Sequence, residues 1–352
     1  MKNRAYYIIF LFYSLILIIV ITSSSWTSIN EPLYKTKSFY FEDKGDSISA
    51  VINYPNDVDL TKPFPLLIFV HGDGPTNADN FGYYTLMWEI LAKNGIATMS
   101  WNKKGVENSS GNWLNQSMLN RAEEVLSAID AINKKNVDQF SSIGLIGFSQ
   151  AGWVLPKVAI GSKYPDYMIF VSSAINWKKQ SNYLTKIRLE GLDKNNAEII
   201  KAIAANKTSF SLFEKSYEEY LFQTKKTCEE LEQKDCIIMS SDRFYFIKKN
   251  INSDNSRDLE GVTCPIFAMF GEDDLNVDSH ESYAVFQKIL SNSNHQNYKL
   301  KMYPNATHGL LKSNHFNTID PGIWFLLKMN FLGGNAFVEN VLQDMVQFID
   351  IK

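Results

Sequence analysis

Short apolar runs alternate with longer amphipathic stretches over most of the chain. Residues 66–70 form a continuous apolar run of the kind expected for a strand that is buried on both faces of a sheet. Residues 119–133 carry apolar side chains at helical spacing and predict a helix with one buried face. Further strands are predicted at residues 38–41, 48–54, 96–101, 143–147, 168–173, 266–270 and 298–302, and further helices at residues 84–93, from Gln150, 279–290 and 336–350. The alternation predicts an α/β fold whose mostly parallel central sheet is flanked by helices.

This alternation is interrupted between residues 176 and 261, where the sequence is polar and helix-like. We therefore predict a helical cap at residues 176–261, inserted into a core formed by residues 35–175 and 262–352. The aromatic residues scattered through this segment are Phe210, Phe213, Tyr217, Tyr220 and Phe222. Their spacing allows two interpretations, packing within the cap or an apolar pocket for an acyl group.

Residues 1–25 have the layout of an export signal. Lys2 and Arg4 precede residues 5–21, which contain no charged side chain, and small polar residues follow. The apolar stretch falls between the short core of a cleaved signal and the roughly 20 residues of a spanning helix, so a signal peptide and a membrane anchor are both predicted. A buried first helix fits less well because the stretch has no polar face. We expect an extracytoplasmic protein, either secreted or attached to the membrane through residues 5–21.

Composition and charge limit the classes of function. With 352 residues, of which 45% are hydrophobic, the chain can bury a sizeable core. Its 35 basic and 38 acidic side chains give a formal charge of -3 without a long block of one sign, so no nucleic-acid partner is expected. The sequence leaves the oligomeric state open.

Three cysteines exclude a disulfide-rich scaffold and give no metal-ligand pattern. Cys228 and Cys236 lie close together and could pair in an exported protein. Cys264 precedes an apolar strand and is interpreted as a small buried hydrophobic residue.

Residues 147–152 read Gly-Phe-Ser-Gln-Ala-Gly and lie where a predicted strand meets a predicted helix. Small residues on both sides of a serine allow the sharp, strained turn called a nucleophile elbow, so Ser149 is the candidate nucleophile. The usual pattern has glycine two residues after the serine, whereas this chain has Ala151 there and Gly152 one place later. Such a motif also arises by chance, and its place between strand and helix favours the catalytic interpretation.

A serine hydroxyl needs a base within hydrogen-bond reach, and the base needs an acid that orients it. His308 follows the predicted strand 298–302 and is the candidate base. Residues 271–277 follow another predicted strand and contain three consecutive carboxylates, of which Asp274 is the first choice for the acid and Asp273 the second. This cluster could also be a solvated turn that ends the strand. The remaining histidines are assigned to another motif or to surface and packing roles: His71, His280, His295 and His315.

The oxyanion that forms on attack needs hydrogen-bond donors, each worth roughly 3 to 4 kcal/mol. Residues 71–75 read His-Gly-Asp-Gly-Pro and follow the predicted strand 66–70. The backbone N–H groups of Asp73 and Gln150 are the predicted donors. Without a candidate nucleophile, residues 71–75 would be interpreted as an ordinary glycine turn.

These four motifs, with Ser149, Asp274 and His308 in that order, resemble the bacterial α/β-hydrolases related to dienelactone hydrolases, acyl-CoA thioesterase-like enzymes and secreted carboxylesterases. The resemblance spans about residues 38–350 and implies the α/β-hydrolase fold and the triad roles. Trp-Asn-Lys-Lys-Gly at residues 101–105 is similar to a family segment of the type Asp-Lys-Arg-Gly. Here asparagine replaces the acid and lysine the arginine, so the salt bridge of that segment is not implied.

The leading hypothesis is an exported serine hydrolase that cleaves small-molecule carboxylic or thio esters through a Ser-His-Asp triad and an acyl-enzyme. This chemistry requires no metal and no organic cofactor. A serine peptidase of the same fold is an alternative, because the same triad cleaves amides. A non-catalytic binding protein with the hydrolase fold is a second alternative, since this fold hosts many functions.

Overall fold

The computed structural model describes residues 33–59, 61–135, 139–230, 238–319 and 321–350. The predicted signal or anchor at residues 1–25 lies outside these ranges, as does Cys236, the predicted partner of Cys228. Within the described ranges, no helix is both long enough and apolar enough to cross a membrane.

One eight-stranded sheet forms the centre of the fold. Its strands are Tyr34–Asp43 (β1), Asp46–Pro55 (β2), Phe64–Val70 (β3), Ala97–Trp101 (β4), Phe140–Phe148 (β5), Tyr167–Val171 (β6), Ile266–Gly271 (β7) and Tyr298–Tyr303 (β8). They lie in the order β1-β2-β4-β3-β5-β6-β7-β8. The pairs β1–β2 and β2–β4 are antiparallel, and all pairs from β4 to β8 are parallel. The mostly parallel sheet confirms the predicted fold class.

Helices cover both faces of this sheet, and further helices form an insertion after β6. They span Thr85–Lys93 (α1), Met118–Lys135 (α2), Leu155–Gly161 (α3), Trp177–Glu190 (α4), Asn196–Leu212 (α5), Tyr217–Glu230 (α6), Ser241–Asn250 (α7), Ser256–Glu260 (α8), Ser279–Asn292 (α9), Ser313–Phe316 (α10), Ile323–Leu332 (α11) and Val341–Asp350 (α12). In β3, Leu66 and Ile68 join an apolar cluster with side chains of α2, α3 and α9, while Leu67 and Phe69 join another with side chains of α1 and α12. Because successive strand residues point to opposite faces, two covered faces require a continuous apolar run.

Helices α3, α11 and α12 differ from the sequence-based predictions, and the short helix α10 was not predicted. The helix expected from Gln150 begins only at Leu155, after a 3-10 segment at Ser149–Trp153. The final helix begins at Val341 because Asn340 has φ +68°, which a right-handed helix does not allow. Helix α11 was not predicted, since its sequence is apolar on almost every side and shows no helical periodicity of polar residues.

Five described helices, α4 to α8, lie between β6 and β7, and residues 177–260 are called the helical insertion below. Polar side chains define where its first two helices begin. The Asn176 side chain accepts a hydrogen bond from the Lys179 N–H at the start of α4. Asn195 and Glu198 form a reciprocal capping box at the start of α5. The first cap fixes the start of α4, whose side chains reach the loops at the carboxyl edge of the sheet, and the second fixes the start of α5.

Candidate active site

Ser149 lies at the turn that joins β5 to the following 3-10 segment, with φ +53°. A residue with a side chain rarely adopts this conformation, and such strain is typical of functional positions. The turn requires glycine on both sides. A Cβ atom at Gly147 would lie 1.8 Å from Cδ1 of Leu155, and one at Gly152 would lie 2.6 Å from Cβ of Ser173. The strand and the helix therefore approach each other as closely as a nucleophile elbow demands.

The alanine that departs from the usual elbow pattern fits this turn. Ala151 is completely buried, so its methyl group is accommodated in the core. The position that admits no side chain is Gly152, one residue later, where Ser173 and the Ala174 carbonyl lie close by.

His308 and Asp274 are joined by a hydrogen bond of 2.8 Å between Nδ1 and Oδ2. The Asp274 side chain is completely buried, and its Oδ1 accepts the N–H groups of Asn276 at 2.7 Å and Val277 at 2.9 Å. Because a carboxylate can only accept, the shared proton belongs to Nδ1 of His308. This leaves Nε2 with a free lone pair, the state that a general base requires.

The loop that carries His308 packs directly on the end of β7. A Cβ atom at Gly271 would lie 2.2 Å from the carbonyl oxygen of Thr307, so only glycine allows this contact. The neighbouring Asp273 donates its backbone N–H to the Ala306 carbonyl and thereby joins the two loops. The bond to the imidazole comes from Asp274, the first of the two predicted acids.

Ser149 and His308 line one cavity of about 850 Å³ together with Gly72, Asp73 and Gln150. All five histidines fall within the described residues, and among them only His308 lines this cavity. The structure thus brings the predicted nucleophile and the predicted base to one cavity, together with residues 71–75, which are called the oxyanion loop. The predicted acid lies directly behind the base. Among the described residues, no group of three or more His, Cys, Asp or Glu side chains could hold a metal ion.

The loop after β3 lies against Ser149. A Cβ atom at Gly72 would lie 3.3 Å from Cβ of Ser149. The ammonium group of the buried Lys103 donates hydrogen bonds to the carbonyls of Gly72 at 2.6 Å and Gly74 at 2.9 Å. In a trans peptide the C=O and the next N–H point in opposite directions, so the N–H of Asp73 points away from Lys103. Sequence reasoning did not identify this role for Lys103.

Lys103 is held without a carboxylate in direct contact among the described ion pairs. Burial lowers the pKa of its ammonium group well below the usual range, and the charge of Arg121 adds to the effect. The ring of Trp113 faces the ammonium nitrogen at 4.9 Å. The two loop carbonyls and this ring replace the water that a buried cation loses.

Arg121 of α2 connects the turn at Ser149 with the oxyanion loop. Its guanidinium donates to Oε1 of Gln150 at 2.7 Å and to the carbonyl of His71. Nε2 of Gln150 in turn donates to Oδ1 of Asp73 at 3.1 Å. The two residues predicted to supply the oxyanion donors are therefore joined to each other and to a buried cation.

His71 is a structural residue and not a base. It is almost completely buried, and burial lowers its pKa to about 3, with a further contribution from the charge of Lys103. The neutral ring donates from Nε2 to the Trp101 carbonyl at 2.6 Å and accepts at Nδ1 from the Tyr84 hydroxyl at 3.2 Å. These bonds attach the oxyanion loop to β4 and α1.

The segment at residues 101–105 forms an ion pair that the sequence did not imply. Lys104 is buried and pairs with Asp43 and Asp46, each at 2.8 Å, on the hairpin between β1 and β2. Asn102, which replaces the acid of the family segment, accepts the N–H of Ala78 at 2.7 Å. The substituted residues thus still bind neighbouring loops, with different partners.

The helical insertion forms one wall of the cavity and contacts the loops that carry Asp73 and Asp274. Arg243 of α7 donates two hydrogen bonds to the partly exposed carboxylate of Asp73, at 3.1 and 2.8 Å. Loss of water around Asp73 by itself raises the carboxyl pKa, but the hydrogen bonds and charge of Arg243 outweigh it, so the pKa is lowered. On the acid side, the Tyr183 hydroxyl donates to the Asp274 carbonyl at 2.6 Å, and Gln180 donates to the Asn276 carbonyl.

The five aromatic residues that the sequence analysis singled out in the insertion do not line the cavity, which favours packing within the insertion over an acyl pocket. Phe213, Tyr217 and Tyr220 pack around Phe244, with ring centroids 5.1 to 5.5 Å apart, and none of them lines the cavity. Phe210 and Phe222 do not line it either. Apolar side chains that do line it come from two places. The segment after His308 contributes Leu311, Phe316, Ile319, Phe325, Leu326 and Met329, and the insertion contributes Trp177, Leu184 and Ile247.

A family model described as serine aminopeptidase, S33, matches residues 61–314. Among curated proteins, dipeptidyl-peptidase 5 of Porphyromonas endodontalis is 24% identical over 148 residues, which cover 40% of this chain and 21% of that protein. The chain therefore matches only about a fifth of the length of this relative.

Several solved structures share the fold. An esterase from Pyrococcus furiosus has a TM-score of 0.55 at 14% identity, with 90% of this chain and 91% of that chain covered. Est1E from Butyrivibrio proteoclasticus, solved with ferulic acid bound, has a TM-score of 0.51 at 15% identity, covering 89% and 96%. Proline iminopeptidase from Mycobacterium smegmatis has a TM-score of 0.54 at 13% identity, covering 90% and 98%. At these identities the similarity shows the fold alone, and both an esterase and a peptidase have it.

Proposed function

Since the chain belongs to the serine aminopeptidase S33 family of α/β-hydrolases, we propose that it cleaves carboxylic or thio esters with Ser149, His308 and Asp274 as its triad. The observation that carries the proposal is the 2.8 Å bond from His308 to the fully buried Asp274, beside a cavity that Ser149 also lines. This arrangement fixes one tautomer of the imidazole and leaves its basic nitrogen free.

In the proposed reaction, Nε2 of His308 takes the proton of Ser149 while Oγ attacks the carbonyl carbon of the ester. The oxyanion accepts hydrogen bonds from the N–H groups of Asp73 and Gln150. Collapse of the intermediate breaks the bond to the leaving group, which receives the proton from His308. Water, deprotonated by the same histidine, then attacks the acyl-enzyme and releases the acid.

The cavity chemistry favours an ester with an apolar portion. Apolar side chains from residues 311–329 form one wall. Among the described residues that line the cavity, Asp73 is the only acid, and Arg243 already binds its carboxylate. An aminopeptidase needs a group that recognises the substrate's ammonium, and Asp73 is not free for this. Asp320, which follows Ile319 in the sequence, lies outside the described residues.

The proposal is tested with a fluorophosphonate probe and short-chain nitrophenyl esters. We expect wild-type protein to be labelled and to hydrolyse the esters, and Ser149→Ala to lose both properties. Ser181→Ala is the matched control, because Ser181 also lines the cavity but bonds to the Trp177 carbonyl. A folded wild-type protein that is neither labelled nor active would instead favour a non-catalytic binding protein.

A serine peptidase is the second candidate, because the matched family is described as serine aminopeptidase and a dipeptidyl-peptidase is a distant relative. Aminoacyl and dipeptidyl nitroanilides, assayed beside the esters, separate the two. Faster turnover of a nitroanilide with a free amino group would replace the ester proposal. Asp320→Asn would then test whether this acid binds the amino group.

We also propose that the protein acts outside the cytoplasm, because residues 1–25 have the layout of an export signal. Cell fractionation with an antibody against the hydrolase domain tests this. Recovery in the cytoplasmic fraction at full length would contradict export, while recovery in the membrane fraction would favour an anchor over a cleaved signal.

A further inference from the structure

Helix α11 exposes an apolar face that nothing in the described structure covers. Its sequence is Ile-Trp-Phe-Leu-Leu-Lys-Met-Asn-Phe-Leu, with two polar residues in ten. Four large side chains on it are exposed: Ile323 by 63%, Trp324 by 79%, Leu327 by 50% and Phe331 by 89%. Contiguous apolar surface of this kind marks an interaction site on a soluble domain.

The other side of the same helix forms part of the cavity wall. Phe325, Leu326 and Met329 line the cavity that contains Ser149 and His308. Helix α11 therefore separates the candidate active site from the surroundings by the thickness of one helix. An apolar molecule that rests on its outer face lies next to the space where the ester bond would be cleaved.

The described chain begins on the side of the sheet where α11 lies. The Tyr34 ring packs edge to face on Trp88, with centroids 6.2 Å apart, and both belong to the apolar cluster that also contains Met329. The loop before α1 contacts α11, since a Cβ atom at Gly82 would lie 3.4 Å from Oδ1 of Asn330. The first described strand thus begins on the face of the sheet that α11 also covers.

We propose that the outer face of α11 rests on a lipid bilayer and admits amphiphilic esters with an acyl chain to the cavity. The substrate class rests on the proposed ester hydrolysis; the membrane contact does not. An apolar helix face with a tryptophan and a lysine is typical of helices in the membrane interface, where Lys328 would contact anionic headgroups.

The length of α11 and the length of the chain before Tyr34 favour a bilayer over a second copy of the chain. At ten residues, α11 is about 15 Å long, so it can lie in the interface but cannot span the bilayer. The stretch between Ile21 and Tyr34 can extend to about 40 Å. If residues 5–21 hold the chain at the membrane, this linker lets α11 reach the same surface.

The contact is tested with the full chain reconstituted in vesicles of phosphatidylcholine and phosphatidylglycerol. Tryptophan fluorescence is compared in vesicles with ordinary and with brominated acyl chains, for wild type and Trp324→Phe. We expect bromolipid to quench the wild type more strongly, because Trp324 adds a lipid-exposed indole that the variant lacks. Equal quenching of both proteins would overturn the membrane contact, and cross-linked dimers in that case would identify a second copy as the occupant.

Substrate delivery is tested with Leu327→Glu/Phe331→Glu, which changes the outer face and no cavity-lining residue. We expect hydrolysis of a long-chain nitrophenyl ester embedded in vesicles to fall about tenfold or more, while hydrolysis of soluble nitrophenyl acetate stays as in wild type. An equal change on both substrates, or no change, would overturn delivery along α11. If wild type hydrolyses neither ester, the proposed function fails, and the quenching experiment still decides the membrane contact.

Discussion

The two sides of the cavity are built by different physical means. On the chemical side, loops at the ends of β3, β5 and β7 are held by glycine contacts and buried polar bonds, as at Gly147, Gly271 and Arg121. On the wall side, the helical insertion and α11 present aromatic and aliphatic side chains such as Trp177, Phe325 and Leu326. The first side leaves little freedom to the catalytic groups, and the second determines which substrate fits.

This difference predicts which substitutions change rate or stability and which change substrate preference. Changes on the chemical side should lower the rate for every substrate or lower stability, because the loops have no alternative packing. Changes on the wall side should leave the chemistry intact and alter the preference among substrates, as expected where apolar contacts set selectivity.

The largest expected effect is that of His308→Ala on the chemical side. Removal of the base should lower kcat by about 10,000-fold or more for every ester tested, because the serine hydroxyl then has no proton acceptor. Steady-state kinetics on nitrophenyl esters measures this. The exposed His280 provides the matched control, and His280→Ala should retain wild-type kinetics. Comparable activity of the two variants would remove His308 from the proposed triad.

Gly147→Ala should lower stability by about 1 to 3 kcal/mol or more, since the new methyl group would overlap Leu155 in the elbow. Urea unfolding measures the loss. Gly161→Ala is the control, because a Cβ atom there meets nothing within 4 Å. We expect the control to stay within about 0.5 kcal/mol of wild type. If both variants unfold at the wild-type midpoint, the elbow is less tightly packed than the contacts indicate.

His71 should make the chemical side sensitive to acid. Its pKa is about 3 in the folded protein and roughly 6.5 in an unfolded chain, so the unfolded state alone gains a proton as the pH falls between these values. The contribution of His71 to the free energy of unfolding is therefore complete above pH 6.5. At pH 4.5 it is smaller by about 2 to 3 kcal/mol.

This acid sensitivity is measured by urea unfolding of wild type and His71→Asn at pH 7 and pH 4.5. The variant is expected to be less stable at pH 7, because it loses bonds to Trp101 or Tyr84, but its loss on acidification should be smaller by about 2 to 3 kcal/mol. His280→Asn, at an exposed position, is measured in parallel as the control for the loss of a histidine. An unchanged dependence in His71→Asn would show that this histidine does titrate in the folded state.

The chemical side was largely predictable from the sequence, and the reason is local. Buried parallel strands appear as continuous apolar runs, and their carboxyl ends meet at one edge, so motifs after such runs are expected to lie together. The alternation of apolar runs and helical stretches around Ser149 predicts the first of these motifs, and Gly271 at the end of a predicted strand marks the second. The choice between Asp273 and Asp274 needed the structure, because only the loop geometry shows which carboxylate reaches His308.

Two kinds of feature were missed. Arg121 and Lys103 support the loops through long-range bonds that no motif encodes, although Arg121 shares the buried face of α2 with Met118 and Val125, an unusual place for a cation. Leu119, the first residue of the predicted helix 119–133, does not belong to its buried face, because it is 56% exposed. The cavity wall after His308 was missed because α11 lacks the polar periodicity on which helix prediction depends.

The smallest expected effect concerns the place where the two sides meet. Arg243 of the insertion holds Asp73 with two hydrogen bonds, so Arg243→Ala should loosen the oxyanion loop and lower kcat by about tenfold, with little change in KM. Arg243→Lys keeps the charge but loses the two parallel hydrogen bonds. Its kcat should therefore lie between those of wild type and Arg243→Ala. The exposed Arg257 supplies the control, and Arg257→Ala should behave as wild type. A rise in KM at constant kcat would assign Arg243 to substrate binding on the wall side, and the boundary between the two sides would then lie between Arg243 and Asp73.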